Sequence, residues 1–141
     1  MAFVFDSGKR VPEIVVYEHI NFGGHHFRTN LPKITNLKGS TFTIDIDYVI
    51  PQASQPPVIV TSEWDMSKKI SSIVIVSGIW QFYSDENCKH PFKNGANPIQ
   101  LPPGYYNWVE NMIVNIAGVN VALKIPNDKI LSFECVAQTL L

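Results

Sequence analysis

Apolar residues along this chain alternate with polar ones or form short runs, and helical spacing is scarce. The runs are rich in β-branched and aromatic residues, which favour strands. We predict strands at 13–18, 41–50, 58–61, 71–76, 79–83 and 113–123. Turn-forming residues separate these runs, and the ten prolines leave little room for a long helix. The pattern therefore predicts an all-β, antiparallel sandwich or barrel.

The strictest alternation lies between Thr41 and Tyr48. One predicted face carries Phe42, Ile44, Ile46 and Tyr48, and the other carries Thr43, Asp45 and Asp47. We expect the first face to be packed and the second to be wet. Asp45 and Asp47 could also act as a carboxylate pair, but the sequence offers no partner acid or nucleophile for a hydrolase.

The two halves of the chain resemble each other. Tyr17 and Tyr83 each end an apolar strand and precede a polar turn. Residues 31–37 are echoed by 101–108, and residues 69–73 are echoed by 112–116. The first half carries extra residues at about 38–63, which we predict to be an inserted hairpin or long loop.

Two ordered motifs resemble signatures of the βγ-crystallin superfamily. The first is Tyr17–x4–Phe22–x–Gly24, and the second is the run Lys-Ile-Ser-Ser-Ile that ends at Ile73. The resemblance implies a single domain that is an antiparallel, two-sheet Greek-key sandwich. Motif one would span about 12–77, including the insert, and motif two about 78–125, followed by a C-terminal extension at 126–141.

The resemblance assigns structural roles to the signature residues. The Tyr17 ring would lie over the turn against Phe22, and Gly24 would have a positive φ, which costs a residue with a β-carbon about 1 kcal/mol. Ser72 would cap the same hairpin with its hydroxyl. Around Tyr83 the second copy departs from this pattern. Cys88, His90 and Asn115 stand where an aromatic residue, a glycine and a serine are expected, so that hairpin is either built differently or strained.

The resemblance also implies two calcium sites, each made from the hairpin of one half and the serine-containing loop of the other. One would use the Glu18 carbonyl with Glu110, Asn111 and Val114. The other would use the Ser84 or Asp85 carbonyl with Ser67, Lys68, Lys69 and Ser71. Val114 has no hydroxyl, and the ammonium of Lys68 stands where an acid belongs. We expect both sites to be degenerate unless Asp65, Asp85 or Glu86 compensates, so calcium is the one cofactor to test.

Other residue types add few candidates. His25 and His26 would point to opposite faces of a strand, so they cannot easily share one metal ion with His19. Ser71 and Ser72 lie in no Gly-x-Ser-x-Gly frame. Of the adjacent Tyr105 and Tyr106, we expect one to be exposed. Whether Cys88 and Cys135 form a disulfide stays open.

Charge and hydropathy limit the partners. The chain has 11 basic and 12 acidic residues without clustering, which argues against nucleic acid. It shows neither a signal peptide nor an apolar run of membrane-spanning length, so we expect a cytoplasmic protein without a membrane partner, export by another route staying open. A monomer, a homodimer and an unknown protein partner all remain compatible with the sequence.

The expected function is therefore that of a non-enzymatic βγ-crystallin-like protein, structural or stress-related, with degenerate, weak or absent calcium binding. One alternative is an interaction module of the same fold, such as a protease inhibitor, toxin or antimicrobial protein, whose insert at 39–63 contacts a target. Another is a functional calcium-binding protein.

Overall fold

The computed structural model of the protein describes residues 11–38 and 42–138, except for the side chains at 42–45, 62 and 63. In chain order the strands are β1 Glu13–His19, β2 Gly23–Thr29, β3 Lys33–Ile34, β4 Phe42–Ile50, β5 Val58–Asp65, β6 Ser72–Ser77, β7 Ile79–Tyr83, β8 Lys93–Asn94, β9 Asn97–Pro98, β10 Gln100–Leu101, β11 Gly104–Tyr106, β12 Met112–Ile116, β13 Val119–Leu123 and β14 Ser132–Ala137. Two 3-10 turns, Ile20–Phe22 and Glu86–Cys88, are the only helical elements in this part of the chain. The predicted all-β, antiparallel architecture is confirmed.

Two four-stranded antiparallel sheets form the body of the protein. The first has the order β11-β6-β1-β2, and the second has the order β10-β7-β14-β3. Each sheet takes three strands from one half of the chain and one from the other, since β11 pairs with β6 and β3 pairs with β14. Neither half can therefore complete its sheet alone.

The core consists of apolar side chains from both sheets and from the segments that connect their strands. Its largest fully buried members are Trp80, Phe82, Phe133, Ile14, Leu37, Met66, Ile70, Ile73, Leu101, Met112, Ile125 and Ile130. Trp80 and Phe82 both pack on Phe133, at ring-centroid distances of 5.7 Å and 6.0 Å. Burying side chains of this size stabilises the fold by about 1.5–3 kcal/mol each, before the entropic cost of ordering them.

The predicted insert is a two-stranded hairpin, β4–β5, which we call the ribbon. Among the described residues it pairs with no third strand. The predicted packed and wet faces are wrong here, because a β-bulge at Asp47 shifts the register between the pairs Ile46–Thr61 and Tyr48–Val60. Ile46 and Tyr48 therefore point to opposite faces, and their side chains are 64% and 57% exposed.

The second half carries an insert of its own. Residues 113–123, predicted as one strand, fold into the hairpin β12–β13 around Ala117 and Gly118, both with positive φ. The fourth strand of this half is β14, which pairs with β7 and β3. Residues 132–137 are thus a central strand of the second sheet, and their assignment to a C-terminal extension beyond 125 is wrong.

Candidate functional site

The first folded hairpin connects β1 to β2. The Tyr17 and Phe22 rings meet edge to face, with centroids 5.6 Å apart. Asn21, Phe22 and Gly24 have φ values of 57°, 61° and 76°. A Cβ at position 24 would lie 2.6 Å from the His19 ring and 2.7 Å from the Glu18 carboxylate, so glycine is needed for both conformation and space.

Ser72 fastens this hairpin to the sheet. Its hydroxyl accepts a hydrogen bond from the Phe22 amide at 3.0 Å and donates one to the His19 carbonyl at 2.6 Å. Ser72 is fully buried. The hydroxyl therefore satisfies backbone groups that the tight turn leaves unpaired.

The second hairpin is fastened in the same way, but by Ser132. Its hydroxyl accepts from the Cys88 amide at 3.1 Å and donates to the Asp85 carbonyl at 2.5 Å. Asn87 and Cys88 have φ values of 64° and 54°, close to those of Asn21 and Phe22. The assignment of Asn115 to the serine position is wrong. Asn115 is exposed on β12, and its side-chain amide donates to the side-chain oxygen of Asn120.

The departures at Cys88 and His90 change how the second hairpin is held. His90, at the glycine position, does not have a positive φ. Its amide donates to the Asp85 carboxylate at 3.0 Å, and its ring contacts the same carboxylate. The Tyr83 hydroxyl donates to Glu134 at 2.5 Å, and burial together with this bond raises the pKa of Tyr83 to about 12. This hairpin is therefore built with different side chains on a similar backbone.

Two equivalent loops lead into the clamping serines. One runs over 67–72 and the other over 127–132, with Lys68 and Asp128 at matching positions of positive φ, 53° and 60°. The loops exchange backbone hydrogen bonds, from the Lys68 amide to the Ile130 carbonyl at 3.0 Å and from the Asp128 amide to the Ile70 carbonyl at 3.5 Å. The second loop reads Asn-Asp-Lys-Ile-Leu-Ser. Its Lys129, Ile130 and Ser132 repeat Lys69, Ile70 and Ser72 of the first loop, with Leu131 in place of Ser71. This loop, and not residues 110–114, is therefore the counterpart of the first loop.

The predicted calcium ligands are not grouped as assigned. Ser71, placed in one site, lies near Glu18, placed in the other, since the Ser71 amide donates to the Tyr17 carbonyl at 2.9 Å. Ser84 lies in the other hairpin, where its amide donates to the His90 carbonyl at 3.3 Å. Asn111 lies in a turn, bonded to the Trp108 carbonyl at 3.0 Å, outside both serine-containing loops.

Two histidines contact the Glu18 carboxylate. It accepts from the His25 amide at 3.2 Å and contacts the His25 ring nitrogen at 2.9 Å, and the His19 ring lies at 3.5 Å. Burial raises the pKa of Glu18, but the hydrogen bonds from His25 and the nearby histidine charges outweigh it and leave the pKa lowered. The carboxylate is thus held charged by partners within the protein.

The acids expected to compensate are also engaged. Asp65 accepts from the Ser67 hydroxyl at 2.6 Å and the Ser67 amide at 3.0 Å, and Lys69 lies 3.5 Å away. The Ser67 hydrogen bond is the main reason why the pKa of Asp65 is lowered. The His90 hydrogen bond likewise lowers the pKa of Asp85. Glu86 accepts from the Asn36 amide group at 2.9 Å.

The second loop has a carboxylate beside it from a different segment. Glu110 accepts from the Asn127 amide at 2.7 Å, and Lys124 lies 4.0 Å from Glu110. Asp128 itself is exposed. Glu110 therefore caps the second loop as Asp65 caps the first.

The histidines of the first hairpin separate as predicted. The His25 ring stacks on Trp64 at 4.5 Å and 7°, whereas the His26 ring lies 5.8 Å from Tyr17. The Lys69 ammonium also lies over the Trp64 ring, 4.7 Å from its centroid. In the part of the chain that is described, no group of three or more His, Cys, Asp or Glu residues could hold a metal ion.

The remaining candidates have clear places. Cys88 and Cys135 are free and partly buried, and burial raises the pKa of both thiols. Tyr105 is 80% exposed and Tyr106 is buried, as expected for adjacent strand residues. The side chain of Asp45, predicted to pair with Asp47, lies outside the described residues. Within 11–38 and 42–138 no helix is long and apolar enough to span a membrane.

Solved structures share this fold. A βγ-crystallin from an Archaea covers 90% of this chain and 100% of its own length, with 26% sequence identity and a TM-score of 0.54. The βγ-crystallin from Ciona intestinalis covers 87% and 98%, with 18% identity and a TM-score of 0.52. A transition-metal-ion-binding βγ-crystallin from Methanosaeta thermophila covers 87% and 99%, with 19% identity and a TM-score of 0.46. No protein-family model and no curated protein matches the sequence. The chain therefore has a βγ-crystallin-like fold.

Proposed function

We propose that this is a non-enzymatic structural protein with a weak calcium affinity confined to the loop 127–132. The observation that carries the proposal is the pair of equivalent loops. The first loop has Lys68 at the position where the second has Asp128, which follows Asn127. The central hydroxyls, Ser72 and Ser132, are fully buried and donate to backbone carbonyls instead of a general base. They therefore serve as structural clamps rather than nucleophiles.

The first loop is unsuited to a cation. Lys68 stands at the position of Asp128, and Lys69 lies against Asp65. The Asp65 carboxylate is already used by Ser67. A divalent ion would have to displace these contacts and approach fixed positive charge.

The second loop has an acid, Asp128, where the first loop has Lys68, but it lacks one ligand. Asp128 supplies an exposed carboxylate, and Asn127 supplies an amide oxygen. Leu131 supplies no oxygen where the first loop has Ser71. Since calcium prefers six or more oxygen ligands, we expect a dissociation constant of about 0.1–1 mM or weaker.

Calorimetric titration of chelator-stripped protein tests the proposal. At calcium concentrations ten times the dissociation constant, linkage stabilises the fold by about 1.4 kcal/mol, which appears as a higher Tm. Asp128→Asn should remove this shift while keeping the fold, because asparagine tolerates positive φ. Leu131→Ser should tighten binding about tenfold by restoring an oxygen ligand.

Lys68→Asp should create a second calcium-binding event in the first loop. Lys93→Asp, on the exposed strand β8, makes the same change of charge away from the loop and is the control. A wild-type shift retained in Asp128→Asn would place calcium elsewhere. Unchanged affinities in both Leu131→Ser and Lys68→Asp would also contradict the proposed site.

A second role, interaction with another protein, is favoured by one observation. The ribbon exposes large apolar side chains that the body of the fold does not cover.

A further inference from the structure

The outer half of the ribbon exposes a continuous set of large apolar side chains. These residues are Ile46, Tyr48, Val49, Ile50, Val58 and Ile59, each exposed by between 41% and 64%. At roughly 150–200 Å² for a fully exposed side chain of this size, they present about 500 Å² of apolar surface. That is at the upper end of what monomeric proteins leave uncovered.

Both faces of the ribbon contribute to this surface. The register across the bulge places Ile46, Val49 and Ile59 on one face. It places Tyr48, Ile50 and Val58 on the other. A two-stranded hairpin is only marginally stable in water without further packing, so a ribbon that is apolar on both sides needs a partner.

The backbone of the ribbon is also open. In the described part of the chain, neither β4 nor β5 pairs with a strand other than its hairpin partner. Edge strands that are long, apolar and free of lysine are templates for pairing with another chain. Residues 48–62 contain no Asp, Glu, Lys, Arg or His, so no charge in this stretch opposes such pairing.

We propose that the ribbon is the contact surface between two copies of this chain. A second copy presents the same apolar surface, so an isologous contact is self-complementary without any further feature. With about 500 Å² from each copy, the pair would bury about 1,000 Å², which reaches the range of specific interfaces. Because this area needs both faces of each ribbon, the contact is assigned to Ile46, Val49 and Ile59 on one face together with Tyr48, Ile50 and Val58 on the other.

A lipid surface fits the ribbon less well. Residues 39–66 contain no Lys, Arg or His, whereas Asp45, Asp47, Glu63 and Asp65 give the segment an acidic character. Segments that bind anionic lipid rely on basic residues near the apolar surface. The connection at the tip, residues 51–57, consists of Pro, Gln, Ala and Ser and offers no large apolar side chain for insertion.

Sedimentation or light scattering of the full chain at about 100 µM tests the contact, since a micromolar dimer is then nearly complete. We expect the mass of a dimer for the wild type, and at least a tenfold weaker association for Ile59→Lys. The matched control is Ile113→Lys, on the hairpin β12–β13, where Ile113 is 62% exposed. This control should remain dimeric.

A second variant removes the surface without adding charge. Replacing residues 47–60 with Asn-Gly joins the paired residues Ile46 and Thr61 by a two-residue turn and keeps the base of the ribbon at Trp64. We expect a folded monomer with an unchanged Tm. A wild-type monomer at 100 µM would overturn the proposal, as would a dimer that survives both ribbon changes or is lost in Ile113→Lys. Flotation of the wild type with vesicles of phosphatidylcholine and phosphatidylserine, lost in Ile59→Lys, would assign the ribbon to lipid and equally overturn it.

Discussion

The hydroxyl groups of Ser72 and Ser132 make the same two hydrogen bonds in the two halves of the molecule. Each accepts from the amide of a turn residue with positive φ, Phe22 or Cys88, and each donates to a carbonyl three residues earlier. The residues around these serines differ between the halves. The clamp is therefore the part of the repeat that is kept, and the rings packed around it vary.

Removing either clamp should destabilise the protein. Ser72→Ala and Ser132→Ala each leave a turn amide and a carbonyl without their buried partner, which costs about 1–3 kcal/mol. Equilibrium unfolding in urea measures this loss. Asn115→Ala, at the exposed position where the sequence predicts the second serine, is the control and should cost about 0.5 kcal/mol or less. Equal losses in all three variants would contradict the assigned role of the serines.

Gly24→Ala should be more harmful than the same change at another glycine with positive φ. At Gly24 the new methyl group meets both the unfavourable backbone conformation and the side chains of Glu18 and His19. Gly95, with φ of 66°, has nothing within 4 Å of an added Cβ, so Gly95→Ala isolates the backbone cost of about 1 kcal/mol. Thermal unfolding compares the two. A loss at Gly24 no greater than at Gly95 would show that the crowding is relieved without cost.

Acid should weaken the protein through Glu18 and Asp65. Their pKa values are lowered in the folded state from the ordinary values of 4.5 and 3.8. A lowered pKa means that the stabilisation is present above the unfolded value and is lost as the pH falls through the folded value. The free energy of unfolding should therefore decline below about pH 4.5. Glu18→Gln and Asp65→Asn should each flatten this decline, and an unchanged pH profile would contradict the assignment.

The stacking of His25 on Trp64 should fix the base of the ribbon to β2. Without the His25 ring, Trp64 loses its stacking contact, and the backbone hydrogen bonds of the ribbon open more often. Hydrogen exchange should become about tenfold faster at β5 in His25→Ala. His90→Ala, which removes the corresponding carboxylate partner in the other hairpin, should leave exchange at β5 unchanged. Equal protection in both variants would show that the stack does not hold the ribbon.

Much of the first half could be predicted from the sequence, because its signature residues are local. Tyr17, Phe22 and Gly24 lie within one hairpin, and their spacing reflects the geometry of a single turn. The strict alternation ending at Tyr48 predicted one packed face and one wet face. This prediction failed because a bulge at Asp47 cannot be detected in an apolar–polar pattern. The face that each side chain occupies depends on pairing with β5.

The second half was harder to predict because two of its segments look like a last strand. The run at 112–116 is apolar and β-branched, yet it belongs to a hairpin that joins neither four-stranded sheet in the described part of the chain. The true last strand begins at Ser132, and the signal available in the sequence was that Lys129, Ile130 and Ser132 repeat Lys69, Ile70 and Ser72. The repeat of the first hairpin was also harder to detect because Cys88 stands where the first hairpin has the aromatic Phe22, although the turn has similar positive φ values.

The exchange of β3 and β11 between the sheets has a consequence for synthesis on the ribosome. While only the first 77 residues have emerged, β6 lacks its neighbour β11, and β3 has no sheet to join. The strand between β3 and β7 is β14, so the second sheet cannot close before residues 132–137 have been translated. The nascent chain therefore keeps an open apolar edge until β14 has been translated. Fragments of either half should need the complementary fragment, supplied in trans, to acquire structure.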